Sequence, residues 1–192
     1  MSSAPKLTVV GGDTAAPAQR AEATLRHWDP EAQLVGALLH LPAAKAAPIL
    51  ALVPNTAIWH PDHRWVYEIV RHLVDTGTDP DPVVVLRTAR HRPPADGGRT
   101  VTARRHHAFA VRLAELYTNT VSPAMIDQYA REVLEDAYRR AVGFHGTRMT
   151  QLAESDCSRE ELTNYLTVMR ADLAELWRRA EAAGSRRRGP RR

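Results

Sequence analysis

Four dipeptides fix most of what this chain can fold into: Asp29-Pro30, His60-Pro61, Asp81-Pro82 and Ser122-Pro123. In each, proline follows a residue suited to a helix start and precedes apolar residues at helical spacing. Proline has no N–H to lose in the first helical turn, and a short polar side chain before it caps the free amides. Four such starts commit the chain to helices. A fifth start has no proline. Ser158 and Glu161 form an S-x-x-E capping box, in which each side chain meets a free amide of the other residue.

The apolar positions agree. Leu34, Val35, Leu38 and Leu39 make one stripe after Asp29-Pro30-Glu31, and Leu41-Pro42 ends that helix. A second helix is expected over Ala43–Leu52. Trp65, Val66, Ile69, Val70 and Leu73 form the buried face of the third, and Gly77 suits the left-handed cap beyond it. A short helix over Val83–His91 leads into the loop Arg92–Gly98, whose prolines and glycines mark it as mobile. Phe109, Leu113, Leu116 and Tyr117 restore the helical pattern. Ile126, Tyr129, Val133, Ala137 and Phe144 then share one side of a long helix, Ser122–Leu152. Gly143 and Gly146 weaken that helix and allow a close helix–helix approach.

The last helix, Ser158–Ala183, carries Leu162, Leu166, Met169, Leu173, Leu176 and Ala180 in 4-3-4-3-4 steps, the narrow seam of a coiled coil. About five polar residues separate it from the helix before, so the two form an antiparallel hairpin. The fold class is therefore all-α, a small helical bundle followed by an antiparallel helical hairpin. It divides into a flexible leader (1–28), the bundle (29–120), the hairpin (121–183) and a basic disordered tail (184–192). The segment Leu7–Val10 could form a short strand, with nothing nearby to pair with it.

Composition narrows the function. Of 192 residues, 44% are apolar, enough for a core, and no apolar run is long enough to span a bilayer. The start lacks the pattern of a secretory signal, so the default compartment is the cytoplasm and no membrane partner is expected. The single cysteine, Cys157, excludes an internal disulfide and reads as a bystander in the hairpin turn. The net charge of +4 resides in Arg186, Arg187, Arg188, Arg191 and Arg192, without which the chain carries −1. That argues against a broad basic face and leaves a short cationic arm for nucleic acid, or a tail that only keeps the chain soluble.

No phosphate loop of the G-x-x-x-x-G-K-[ST] kind occurs, and no G-x-S-x-G elbow. His60 and His63 around Pro61-Asp62 could hint at a metal, but a helix start explains them better. Glu31 and Asp62 suit the electrostatics of helix N-termini. His106-His107 beside Arg104-Arg105 is a basic helix start, read more simply as a solvated face. Trp59 and Trp65 read as core or hairpin packing. The sequence points to no catalytic residue, no cofactor and no metal.

The order of these signals resembles the N-terminal domain of DnaB-type replicative DNA helicases. Glu31-Ala32-Gln33 with Leu34, Gly36, Leu38 and Leu39 is similar to its opening E-x-x-x-L-G-x-L-L pattern. Trp59, Pro61, His63 and Arg64 match an aromatic-x-x-x-H-R segment, and Ile69, Thr76-Gly77 and Asp81 match the helix and turn that follow. Leu113, Leu116, Asn119 and Ser122 resemble L-x-x-L-x-x-N-x-x-S, and Tyr129 and Val133 the Y-x-x-x-V start of the hairpin. His106-His107 stands where the family usually has Gly-Gly.

The resemblance implies a collar domain that dimerises through its hairpins and receives primase or a loader, without the ATPase motor. The expectation is a stand-alone, non-enzymatic interaction module of DNA replication. It would form a homodimer or higher oligomer and bind primase, a helicase loader or the replicative helicase. Leu162, Leu166, Met169, Leu173, Leu176 and Trp177 are the expected interface. The alternative is a sequence-independent nucleic-acid-binding accessory protein whose contacts are Arg186, Arg187, Arg188, Arg191 and Arg192. A third reading is a remnant that folds without a role, or a piece of a longer chain.

Overall fold

The computed structural model describes residues 28–95 and 100–186. The expected strand at Leu7–Val10 and Arg187, Arg188, Arg191 and Arg192 lie outside them. Seven α-helices occur among the described residues, and no strand: α1 (Pro30–Leu38), α2 (Ala43–Leu52), α3 (Pro61–Asp75), α4 (Pro82–Ala89), α5 (Ala103–Thr118), α6 (Ile126–Glu154) and α7 (Arg159–Arg186). Short 3-10 turns at Asn55–Ala57 and Pro123–Met125 lead into α3 and α6.

Most start signals act locally as expected; Ser122-Pro123 instead opens the 3-10 turn with no side-chain cap, and α6 begins only at Ile126 rather than at Ser122. Asp29 accepts the Glu31 amide at 3.1 Å, and Asp81 accepts that of Val83 at 2.8 Å. Pro30, Pro61 and Pro82 occupy first helical positions. His60 stands at the start of α3, but its side chain makes no capping bond. The capping box closes in both directions: the Ser158 amide donates to Glu161 Oε2 at 2.7 Å, and the Glu161 amide to Ser158 Oγ at 3.2 Å. Gly77 has φ +73°, the left-handed value that L side chains rarely adopt. One start comes from far away in the chain, since Asp79 accepts the Ala43 amide of α2 at 2.7 Å.

α1 is the axis of the bundle, packed against α3, α5 and α6. It was expected to bury one stripe, yet Gln33, Leu34, Val35, Gly36, Ala37 and Leu38 are all buried. Polar groups survive there because each finds a partner. Gln33 donates from Nε2 to the Asn119 carbonyl at 3.0 Å and accepts the Val121 amide at 2.8 Å, tying down the link between α5 and the hairpin. Gly36 is needed there for lack of space. A Cβ there would overlap the Leu116 carbonyl and the Thr120 hydroxyl.

α3 buries Trp65, Val66, Ile69, Val70 and Leu73 as its spacing requires. The described part of the loop after α4 is pinned to α3 rather than loose. Trp65 Nε1 donates to the Arg92 carbonyl at 2.8 Å, and the Ala95 amide donates to Glu68 Oε2 at 3.2 Å. On α5, Phe109, Leu113 and Leu116 are buried. Tyr117 is not; its ring stacks on His40 at 4.1 Å, at the surface.

The core runs without a break into the base of the hairpin. Ile126, Ala130, Val133, Leu134 and Ala137 of α6 and Ala180 and Ala183 of α7 belong to the same cluster as Leu34 and Ile69. α7 also continues through Gly184 and Ser185 to Arg186, beyond the expected start of a tail at 184. Beyond this base, α6 and α7 pack mainly on one another. Gly143 and Gly146 lie in that outer part. A Cβ at either would meet nothing within 4 Å, so they mediate no close approach. Each therefore only weakens α6. Gly143→Ala and Gly146→Ala are expected to raise stability by about 0.5–1 kcal/mol apiece in urea unfolding.

Candidate functional site

The hairpin pairs α6 with α7 along most of their lengths. Leu162, Met169, Leu173 and Leu176 lie half-buried along α7, facing α6. Leu166, in the middle of the seam, remains 38% exposed. One neighbouring helix covers a seam of this width only in part, and the remaining apolar surface faces water.

The α6 side differs from its expected pattern at one turn. Phe144 was expected on the inner face, but it is 68% exposed, and the next residue, His145, is buried in its place. Successive helical residues point about 100° apart, so only one of the two can face α7. His145 is tolerated inside because it has polar partners. Its Nδ1 lies 2.8 Å from the Tyr165 hydroxyl, and its Nε2 lies 3.8 Å from Asp172 Oδ2. Ranking residues by hydrophobicity favours Phe144. Only the Tyr165 hydroxyl across the hairpin reverses the choice.

Large apolar side chains consequently lie at the surface of both hairpin helices: Val142, Phe144 and Met149 on α6, Leu166, Val168 and Trp177 on α7. Val142 and Phe144, like Leu166 and Val168, are two residues apart on their helix and so point to different sides of it. Trp177, expected as an interface residue, is 58% exposed. It meets Tyr138 edge-on at 6.0 Å and borders a groove of about 340 Å³ shared with Arg131, Glu135, Arg139, Ala180 and Glu181. Large aromatics in such settings are frequent interface anchors.

The other sequence candidates are structural. Trp65 is core. Trp59 is not, being 67% exposed with the Arg140 guanidinium 5.6 Å from its ring centre. Glu31 does more than complement its own helix. Its carboxylate accepts the Trp59 amide at 2.7 Å, the His60 amide at 2.8 Å and His63 Nδ1 at 3.1 Å. Burial raises the Glu31 pKa. The hydrogen bonds from His63, Trp59 and His60 outweigh that and hold it below the usual carboxylate range. His63 is thus an internal tie, and among the described residues no group of three His, Cys, Asp or Glu side chains could hold a metal. Cys157 is half-buried, its thiol directed at the Leu152 carbonyl at 2.9 Å.

Arg186 also departs from expectation. It lies on α7, and its guanidinium meets Asp127 at 3.1 Å, closing the base of the hairpin. A helical arginine paired with a carboxylate on the neighbouring helix is not part of a disordered arm. No helix among the described residues is long and apolar enough to cross a membrane.

The architecture has known counterparts. Residues 24–135 match the family described as DnaB-like helicase N terminal domain, more than half of the chain. The fold is similar to a crystal structure of the N-terminal domain of DnaB helicase from Mycobacterium tuberculosis. The TM-score is 0.60 at 22% identity, over 77% of this chain and 96% of that one. No curated protein matches the chain.

Proposed function

This chain belongs to the DnaB-like helicase N terminal domain family, and from that premise we propose that it acts in DNA replication by binding proteins, without catalysing a reaction. The working surface in this reading is the outer hairpin. Its partners are a second copy of the chain and one further replication protein, a primase, a helicase loader or the replicative helicase. The observation that supports the reading is the set of large apolar side chains that the hairpin's own packing leaves exposed, Phe144 and Leu166 among them.

The physical case is simple. The base of the hairpin is already rooted in the core, so the outer half adds little to the fold of one protomer. Its exposed leucine, valine and phenylalanine side chains would gain roughly 25 cal/mol for every Å² of apolar area removed from water by a partner.

Sedimentation of the intact chain tests this. Self-association is expected in the micromolar range, and Phe144→Asp with Leu166→Asp should weaken it at least about tenfold by placing charges in an apolar contact. Truncation after Arg186 should leave association unchanged. A wild-type protein that stays monomeric at high concentration defeats the reading. If the truncation instead abolishes salt-dependent DNA binding while protein association survives, the residues after Arg186 are a nucleic-acid arm.

A further inference from the structure

The helix α2 ends against two arginines from different parts of the fold. Arg71 of α3 donates from Nη2 to the Leu50 carbonyl at 2.8 Å and the Val53 carbonyl at 2.6 Å, and from Nε to Asn55 Oδ1 at 2.7 Å. Arg179 of α7 donates from Nη1 to the Ala51 carbonyl at 3.0 Å and the Leu52 carbonyl at 2.9 Å. The carbonyls that a helix end leaves open are thereby occupied by guanidinium groups. Both arginines line one open cleft of about 410 Å³, with Leu50, Ala51, Pro54, Asn55 and Thr56.

The two forks are not used up by this work. Among the described residues, Nη1 of Arg71 and Nη2 of Arg179 take no hydrogen bond, and neither is a buried atom. No carboxylate lines the cleft. Arg71 makes no ion pair among the described residues; its other partners are uncharged. Compensation comes from Glu175, which Arg179 shares with Arg178, from Glu68 and Asp75, which line a neighbouring pocket with Arg71, and from the α2 end, worth about half a negative charge. The two guanidinium groups are nevertheless held by their other bonds in fixed directions.

We propose that this cleft binds an acidic side chain of a partner protein, with the carboxylate accepting from Arg71 Nη1 and Arg179 Nη2. Charge-assisted guanidinium–carboxylate bonds are among the strongest that a protein surface offers. A single carboxylate suits the site better than a nucleic-acid backbone. A phosphate chain needs a track of positive charge, and apart from five arginines at its C-terminus the chain carries −1. Because Arg71 belongs to the bundle and Arg179 to the hairpin, the ligand would also fasten one to the other. The site is independent of hairpin self-association, and either can fail alone.

The test uses the intact chain and the arginine Nε–Hε signals in nuclear magnetic resonance, with that of Arg179 assigned through Arg179→Lys. Titration with hexaglutamate should move the Arg71 and Arg179 signals together to saturation, less so as salt rises. Arg179→Lys, shown to be folded by circular dichroism, should bind about tenfold more weakly, because an ammonium cannot reproduce the fork. Absence of movement in either wild-type signal overturns the proposal. Equal movement with a twelve-nucleotide thymidine strand overturns it too, since the site would then take any polyanion.

Discussion

Gly36→Val is expected to cost about 3 kcal/mol or more, read as a fall in the urea midpoint. Two effects compete. Replacing glycine inside a helix ordinarily gains up to about 1 kcal/mol in propensity with alanine, and less with valine. Against that, a Cβ at Gly36 would overlap the Leu116 carbonyl and the Thr120 hydroxyl. The first obstacle is backbone, and the Thr120 hydroxyl is itself bonded to that carbonyl at 2.8 Å. Neither yields by a rotamer change alone. α1 would have to move away from α5, opening space around Leu34, Leu38 and Leu116, which are packed with 4% exposure or less. Packing is therefore expected to override propensity, and even Gly36→Ala should destabilise. A neutral or stabilised Gly36→Ala protein would show that α1 and α5 do not cross this closely.

The second large effect concerns Glu31. Glu31→Ala leaves the Trp59 and His60 amides and the His63 ring without their acceptor. An unsatisfied buried donor costs about 1–3 kcal/mol, so a total near 3 kcal/mol is expected. Acid titration gives an independent reading. The folded Glu31 pKa lies below its unfolded value, so the stabilisation is fully present above the unfolded pKa and is lost as pH falls through the folded one. Unfolding measured from neutral pH down into the acid range should show wild type losing stability below about pH 4.5, near the ordinary glutamate value. Glu31→Gln should start lower and have a shallower acid limb. Equal slopes for the two proteins would mean that the carboxylate charge does not hold α1 to α3.

Both positions explain why parts of the fold were legible early. Gly36 and Glu31 fall in the opening pattern that carries the family resemblance, and each does a job that no neighbouring residue could take over. Pro30, Pro61 and Pro82, the Ser158–Glu161 box and Gly77 behave in the structure as their local chemistry requires, because each acts within one turn of chain. Gln33 was not legible. Its role depends on the Asn119 carbonyl and the Val121 amide, far away in sequence. Asp79 at the start of α2 and Arg179 at its end are long-range caps of the same kind, and composition gives no hint of them.

The proposed surface was half legible. The α7 seam followed from its period, and Leu166 and Trp177 are exposed on that helix. Phe144 was placed on the wrong side of α6, and Val142, Met149 and Val168 were not singled out at all. A helical period shows which residues share a face, not whether one neighbouring helix or two will cover it.

By itself, the sequence determined the helices, most of their starts, the hairpin and the family, because caps, prolines and apolar periods act over a few residues. Tertiary structure alone decided that α1 is buried all round, that the hairpin base shares the bundle's core, and that His145 rather than Phe144 turns inward. These depend on hydrogen-bond partners and steric neighbours supplied by distant segments, which exist only once the chain has folded.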